Sequence, residues 1–333
     1  MQRILYLDVV KALAITLVCV GHTTSLISFG EPSQLRLWIY SFHMPLFMLL
    51  CGYFSSHSLS LPFKEMILKK SKQLLIPSVS FPLLTIVICL IMGVEDIVGI
   101  ARGEAIGGMW FLRTLFACYV YVWLFLKIFQ KIIGNGGQEN LSSYLACVSS
   151  IIVAIVVPRG YFLQFNWMLL FFWAGFFLKR YQGVFDNHVK SIAIVSTIIF
   201  VLCGRHQDPL MITANRLSQQ PMTFFWQFTT AIAAAFMAVG GVKFLCGIWS
   251  GKLAQGIGQI GMRTLGIYAL QGIVINRIAF QYIHLDLTTY PRWISDFVLP
   301  LLLGIAATVI CYVLVQCLRR YKWTNIIFFG GSK

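Results

Sequence analysis

Long apolar runs separated by short polar breaks recur along the whole chain. "LLIPSVSFPLLTIVICLIMG", "LACVSSIIVAIVV" and "FVLPLLLGIAATVICYVLVQCL" are examples. Most such runs approach or exceed the ~20 apolar residues needed to cross a hydrocarbon core ~30 Å thick. Placing boundaries at the polar breaks predicts ten helices, at 4–28, 35–55, 74–92, 109–131, 142–157, 161–178, 189–204, 222–245, 263–282 and 293–318. The pattern therefore predicts an all-α polytopic membrane protein.

Composition strengthens that expectation. Hydrophobic residues make up 58% of the chain and charged ones 11%, and the mean hydropathy is +0.79. A water-facing exterior needs far more polar coverage than this. We expect a single domain over 1–333, with a bundle over about 4–320 and 321–333 as a short cytoplasmic tail. The net charge is +15, and its distribution sets a direction. With the N-terminus inside, Lys64, Lys69, Lys70, Lys72, Lys179, Arg180, Lys190, Lys252, Arg319, Arg320 and Lys322 fall in inner loops. Every lysine lies on the inner side or in the inner half of a helix, whereas the outer loops carry only Arg102, Arg159, Arg205, Arg216 and Arg292. The positive-inside rule then places both termini in the cytoplasm. The basic excess is a topology signal, and no nucleic-acid partner is expected. The nine cysteines stand singly in apolar segments without metal-ligand spacing, so neither disulfides nor a metal site are expected. The first segment is too long for a cleaved signal, and Asp8 and Lys11 interrupt it where a signal core would be apolar.

Those two residues raise the question of chemistry. Lys11 and His22 are eleven positions apart, close to three helical turns, so they share one face and lie ~16 Å apart along the axis. Asp8 is within i,i+3 reach of Lys11. Ionisable groups at membrane depth normally face the bundle interior or a water-filled cavity. Other readings stay open: Lys11 snorkelling to the interface beside Asp8, and His22 as a core histidine bonded to a backbone carbonyl. A second histidine shifts the balance. In "YSFHMPLFMLLCGYF", His43 lies about nine residues in from the outer surface, a depth of ~13 Å and close to that of His22. Pro45 frees backbone groups beside it. Two imidazoles at one depth on adjacent helices predict a polar reaction chamber.

These stretches resemble the acyltransferase-3 family of membrane acyltransferases, in the fucose-4-O-acetylase-like form that acylates sugars of bacterial surface polysaccharides. Lys11 and His22 fit a basic-x10-His motif within "LDVVKALAITLVCVGH", and "FHMPLFMLLCGYF" is similar to the second-helix block. "KKSKQLLIP", "GGMWFLRTLF" and "TLGIYALQ" resemble later blocks, so the likeness runs from about residue 3 to 320. Two departures stand out. Lys11 replaces the arginine common at its position, and Gln271 stands where histidine is common, so no acid–base role is assigned to it.

The resemblance implies an acyl-CoA, acetyl-CoA by default, as cytoplasmic co-substrate with no tightly bound cofactor. It implies a sugar hydroxyl or lipid-linked glycan as acceptor, and a multi-pass location in a bacterial inner membrane among its lipids. Lys11 and Asp8 are then the donor-side candidates, with the lysine cluster at 64–72 serving CoA phosphates, topology or anionic lipid. His22 is the candidate base for the sugar hydroxyl. His43 is expected to orient it, bind the sugar or stabilise the oxyanion. No GxSxG context supports a covalent acyl-enzyme. Trp110 is expected to stack on a sugar ring or sit in an interfacial belt, and Arg113 and Arg36 to meet the acceptor, with Arg277 a weaker candidate. The rival class is a transporter or flippase for a lipid-linked sugar, against which stands the lack of paired, interrupted half-repeats. A glycan polymerase would carry a larger outer loop than 205–221 provides.

Overall fold

The computed structural model describes residues 4–28, 33–133, 139–156, 164–204, 214–248 (214–216 by backbone only), 251–286 and 289–331. Arg159 and Arg205, expected in outer loops, lie outside the described residues, as do positions 161–163 of the sixth expected helix and the Arg216 side chain. The protein is an all-α polytopic membrane protein. Seven helical segments are long and apolar enough to cross a membrane: Leu5–Leu26, Gln34–Tyr53, Phe63–Ile91, Ile97–Ile133, Glu139–Val156, Pro221–Ile248 and Ile294–Arg320. Helices also occupy the three remaining expected positions, as given below.

Helix α1 (Leu5–Thr23) carries the basic-x10-His motif. The second expected helix is broken into α2 (Gln34–Tyr40) and α3 (His43–Tyr53). Pro45, in the first turn of α3, has no N–H to continue the ladder, so the break falls just ahead of it. α2 is capped by Ser33, whose Oγ accepts the Arg36 backbone N–H at 3.1 Å. That entry is fixed to the far end of the chain. The fully buried Asp296 carboxylate accepts from the Ser33 hydroxyl and from the Gln34 backbone N–H, the latter at 2.9 Å.

Helix α4 spans Phe63–Ile91 and starts well ahead of the expected position 74. It passes through a π turn at Ser71–Leu75 just before Pro77. Helix α5 (Ile97–Ile106) forms in a stretch expected as loop. Asp96 caps its start by accepting the Gly99 N–H at 2.8 Å. Then follow α6 (Trp110–Ile133), α7 (Glu139–Val156), α8 (Phe165–Arg180), α9 (Val189–Cys203) and α10 (Pro221–Ile248). α11 (Lys252–Gly261) is an additional helix. α12 begins as Thr264–Ile273, widens into a π turn over Val274–Ala279 and closes at Phe280–Tyr282. α13 spans Ile294–Arg320.

Within the expected short tail at 321–333, α14 (Lys322–Phe329) forms and packs on α4. Phe329 is buried there, 5.7 Å from the Phe81 ring and under the Arg319 guanidinium at 4.4 Å. Its aromatic residues account for the docking, because they bury apolar area that a solvated tail would expose.

α1 is enclosed by α10, α11 and α13. A Cβ on Gly261 of α11 would fall 1.7 Å from the Asp8 carbonyl oxygen, and one on Gly304 of α13 would fall 2.5 Å from the Val20 Cα. Glycine at these two crossings lets the backbones touch, which is how helices associate where lipid removes the hydrophobic drive.

Candidate active site

A cavity of about 530 Å³ opens between the end of α1, the α2–α3 break, α5 and α12. Two histidines line it. His22 is the penultimate residue of α1, and His43 is the first residue of α3. The break in the second span therefore has a positional effect. It leaves Ile39 in the last turn of α2, where its carbonyl is without the usual i+4 helical donor and accepts instead from the Phe42 N–H at 3.2 Å and from the His43 ring. The distance from His43 Nδ1 to the Ile39 oxygen is 2.8 Å. A carbonyl oxygen only accepts, so Nδ1 carries the proton. The Tyr40 ring lies between the two imidazoles, 6.3 Å from His22 and 4.9 Å from His43 by centroid.

The opposite wall is α12. Tyr268, Gln271, Gly272, Asn276 and Arg277 of this helix all line the cavity. The π turn holds Asn276 and Arg277, and such turns are frequent at functional sites. Asn276 presents its carboxamide Nδ2 to His22 Nδ1 at 3.2 Å. Arg277 pairs with Glu104 of α5 at 3.1 Å, which closes the cavity on that side with a neutralised charge pair. Gln271 is 4% exposed and its Oε1 has no hydrogen-bond partner among the described residues. Trp110 also lines the cavity. Among the described residues, the two non-glycine positions with left-handed backbone, Met109 and Gln164, also line it. Each such residue costs about 1–3 kcal/mol and is held by its surroundings.

Two expected acceptor-side residues stand elsewhere. The Arg113 guanidinium donates to the carbonyls of Ala105 at 2.7 Å and Ile106 at 2.9 Å, and to that of Gly108. These are carbonyls at the end of α5 that the helix itself leaves unpaired, so Arg113 is a helix cap rather than a cavity residue. Arg36 lies over the outer side of the Tyr40 ring at 4.9 Å, exposed and outside the cavity lining. Sequence reasoning passed over Asn276 and Glu104. Asn276 had a visible signal, since "INR" interrupts an apolar run. Glu104 had none, because its loop was not expected to fold back.

Lys11 lies three turns before His22 and pairs with Asp8 at 3.1 Å. Its ammonium lies 4.2 Å from the centre of the Phe54 ring, so it points into the bundle rather than along the lipid face. Lys70 is 8% exposed, with its ammonium 3.7 Å from the Tyr119 ring centre and no carboxylate partner among the described residues. Lys69 and Lys72 are more open to solvent. An interior cation held by aromatic faces alone retains capacity for an anion.

Comparison with known proteins identifies the family of the chain. The acyltransferase domain family matches residues 4–316. Nodulation protein NolL of Mesorhizobium japonicum (strain LMG 29417 / CECT 9101 / MAFF 303099) is 26% identical over 99% of this chain and 91% of its own length. Nodulation protein NolL of Sinorhizobium fredii (strain NBRC 101917 / NGR234) is 25% identical over 82% of this chain and 78% of its own. No solved structure matches. With nearly the whole bundle covered by that match and two histidines meeting in its cavity, the chain belongs to the acyltransferase-3 family and is a membrane acyltransferase.

Proposed function

We propose that this protein moves an acyl group, acetyl by default, from cytoplasmic acyl-CoA to a sugar hydroxyl of a bacterial surface polysaccharide or its lipid-linked precursor, within the inner membrane. The observation that carries the reading is the convergence of His22 and His43 on one cavity walled by Trp110, Gln271 and Asn276. Carboxamides and an aromatic face suit a polyhydroxylated ring, because amides match hydroxyl donors and acceptors.

The chemistry balances without a resident cofactor. A sugar oxygen attacks the thioester carbonyl carbon while its proton passes to an imidazole nitrogen. The carbonyl oxygen becomes an oxyanion that a second positioned donor stabilises. The tetrahedral intermediate collapses with loss of CoA thiolate, which takes up the proton. Lys11 and Lys70 bind CoA phosphates at the inner end, and the pantetheine arm spans the apolar stretch of α1 towards His22. The test is transfer of label from [acetyl-14C]acetyl-CoA by the purified protein to surface polysaccharide taken from a strain lacking this gene. Label in base-labile O-acetyl ester is expected. Saturable sugar export with no thioester turnover would overturn the reading.

A further inference from the structure

We propose that the two histidines are held in opposite tautomers, with His43 as the general base and His22 as the donor to the oxyanion. This rests on the acyl-transfer reading and assigns its proton chemistry atom by atom. His43 Nδ1–H is committed to the Ile39 carbonyl at 2.8 Å, so the neutral ring keeps its lone pair on Nε2, which has no protein partner among the described residues. His22 is set the other way. Asn276 Nδ2 stands 3.2 Å from His22 Nδ1, and an amide nitrogen only donates. Nδ1 therefore accepts, and the proton of the neutral ring resides on Nε2.

Both rings line the same cavity. One thus offers it a lone pair and the other an N–H. In transfer, His43 Nε2 takes the hydroxyl proton as the oxygen attacks, and His22 Nε2–H donates to the oxyanion as it forms. On collapse, His43 returns its proton to the departing thiolate sulfur. Asn276 is the positioning residue for the donor and the Ile39 carbonyl for the base. The other ionisable groups of the cavity wall are Glu104 and Arg277, which pair with each other at 3.1 Å, and Tyr40 and Tyr268. Arg36 stacks behind Tyr40.

The assignment turns on which end of the Asn276 amide meets the ring, and the variants separate the two ends. Glutamine reproduces an Nε2–H donor but is no base. Hence His22→Ala should lose ~10²–10³-fold in transfer, the loss of one oxyanion donor, and His22→Gln should recover to within about tenfold of wild type. At the other ring, His43→Ala and His43→Gln should both lose ~10²–10⁴-fold, because neither can accept the proton. Asn276→Asp replaces a donor with an acceptor and draws the His22 proton to Nδ1. Its rate should fall as pH rises, a limb that wild type lacks. All variants are assayed per folded molecule, in full-length protein in detergent, with labelled acetyl-CoA and polysaccharide from the gene-deleted strain. His22→Gln as inactive as His22→Ala, or rescue by glutamine at position 43 instead, would overturn the assignment. So would an Asn276→Asp rate that rises with pH. A wild type that transfers no label would instead sink the acyl-transfer reading itself, so the two failures are distinguishable.

Discussion

A lysine inside a membrane bundle has few ways to be satisfied, and Lys11 uses two of them: the Asp8 carboxylate at 3.1 Å and the Phe54 ring at 4.2 Å. Neither removes its capacity for a third, anionic contact. If that contact is a CoA phosphate, Lys11→Ala should raise the apparent KM for acetyl-CoA about ten- to a hundredfold, the worth of one charged hydrogen bond at ~1.5–3 kcal/mol. Lys11→Arg should largely restore it. An unchanged donor KM in Lys11→Ala would return this residue to an interfacial, snorkelling role. On the proposed reading Trp110 meets the other substrate. Trp110→Ala should raise the KM for the polysaccharide and leave the donor KM within twofold. A larger change in donor KM would place Trp110 with the thioester rather than the sugar. The motif spacing on α1 exposed Lys11 and His22 in the sequence because charge inside an apolar run is costly and therefore conspicuous. The true surroundings of Arg113 were hidden for the opposite reason. Its partners are the terminal carbonyls of α5, and a helix cap formed by a side chain seven or eight residues further on leaves no mark in hydropathy.

At the scale of helices, polar breaks in the hydropathy located the long apolar segments. They could not show where a span is interrupted from within. The gap between Tyr40 and His43 and the π turn at Val274–Ala279 both lie inside apolar stretches, and both bring cavity residues into position. Pro45 at the first and the polar pair of "INR" at the second were the legible cues. Short amphipathic helices such as α5 and α11 escaped because their polar residues read as loop. Close crossings supply the strongest test at this scale. α3 and α8 pack with Gly52 facing Phe172 and Gly175 facing Leu49. A Cβ on Gly175 would fall 1.8 Å from the Leu49 carbonyl oxygen, whereas one on Gly183 would meet nothing within 4 Å. Gly175→Ala should therefore destabilise by about 1–3 kcal/mol through forced separation of two backbones, and Gly183→Ala should not. Thermal unfolding in detergent reads the difference. Equal melting temperatures for the two variants would mean that α3 and α8 do not meet as closely as described. Because His43 begins α3 and the α2–α3 break shapes the cavity, Gly175→Ala should also slow transfer.

For the whole molecule, the remaining question is which way the bundle faces, and two independent features bear on it. The lysines, with Arg180, Arg319 and Arg320, fall in the expected inner loops and helix ends, Arg102, Arg159, Arg205, Arg216 and Arg292 fall in the expected outer loops, and the histidine cavity lies three α1 turns beyond Lys11. Lysine-rich loops are retained in the cytoplasm, so we expect the basic end inside, near the soluble donor, and the cavity in the outer half, near an acceptor presented outside. That arrangement gives each substrate its own approach and leaves the thioester to cross only the apolar stretch of α1. Reporters fused after Lys72, Arg180, Lys252 and Lys322 should then read as cytoplasmic, and those after Arg102, Arg216 and Asp286 as external. The Lys322 fusion is the most informative. It separates α13 from α14, whose Phe329 is buried beside Phe81 of α4. A reporter there should face the cytoplasm yet lower stability by detaching α14. Two or more fusions reading the opposite way would invalidate the helix assignment and, with it, the placement of donor and acceptor on opposite sides.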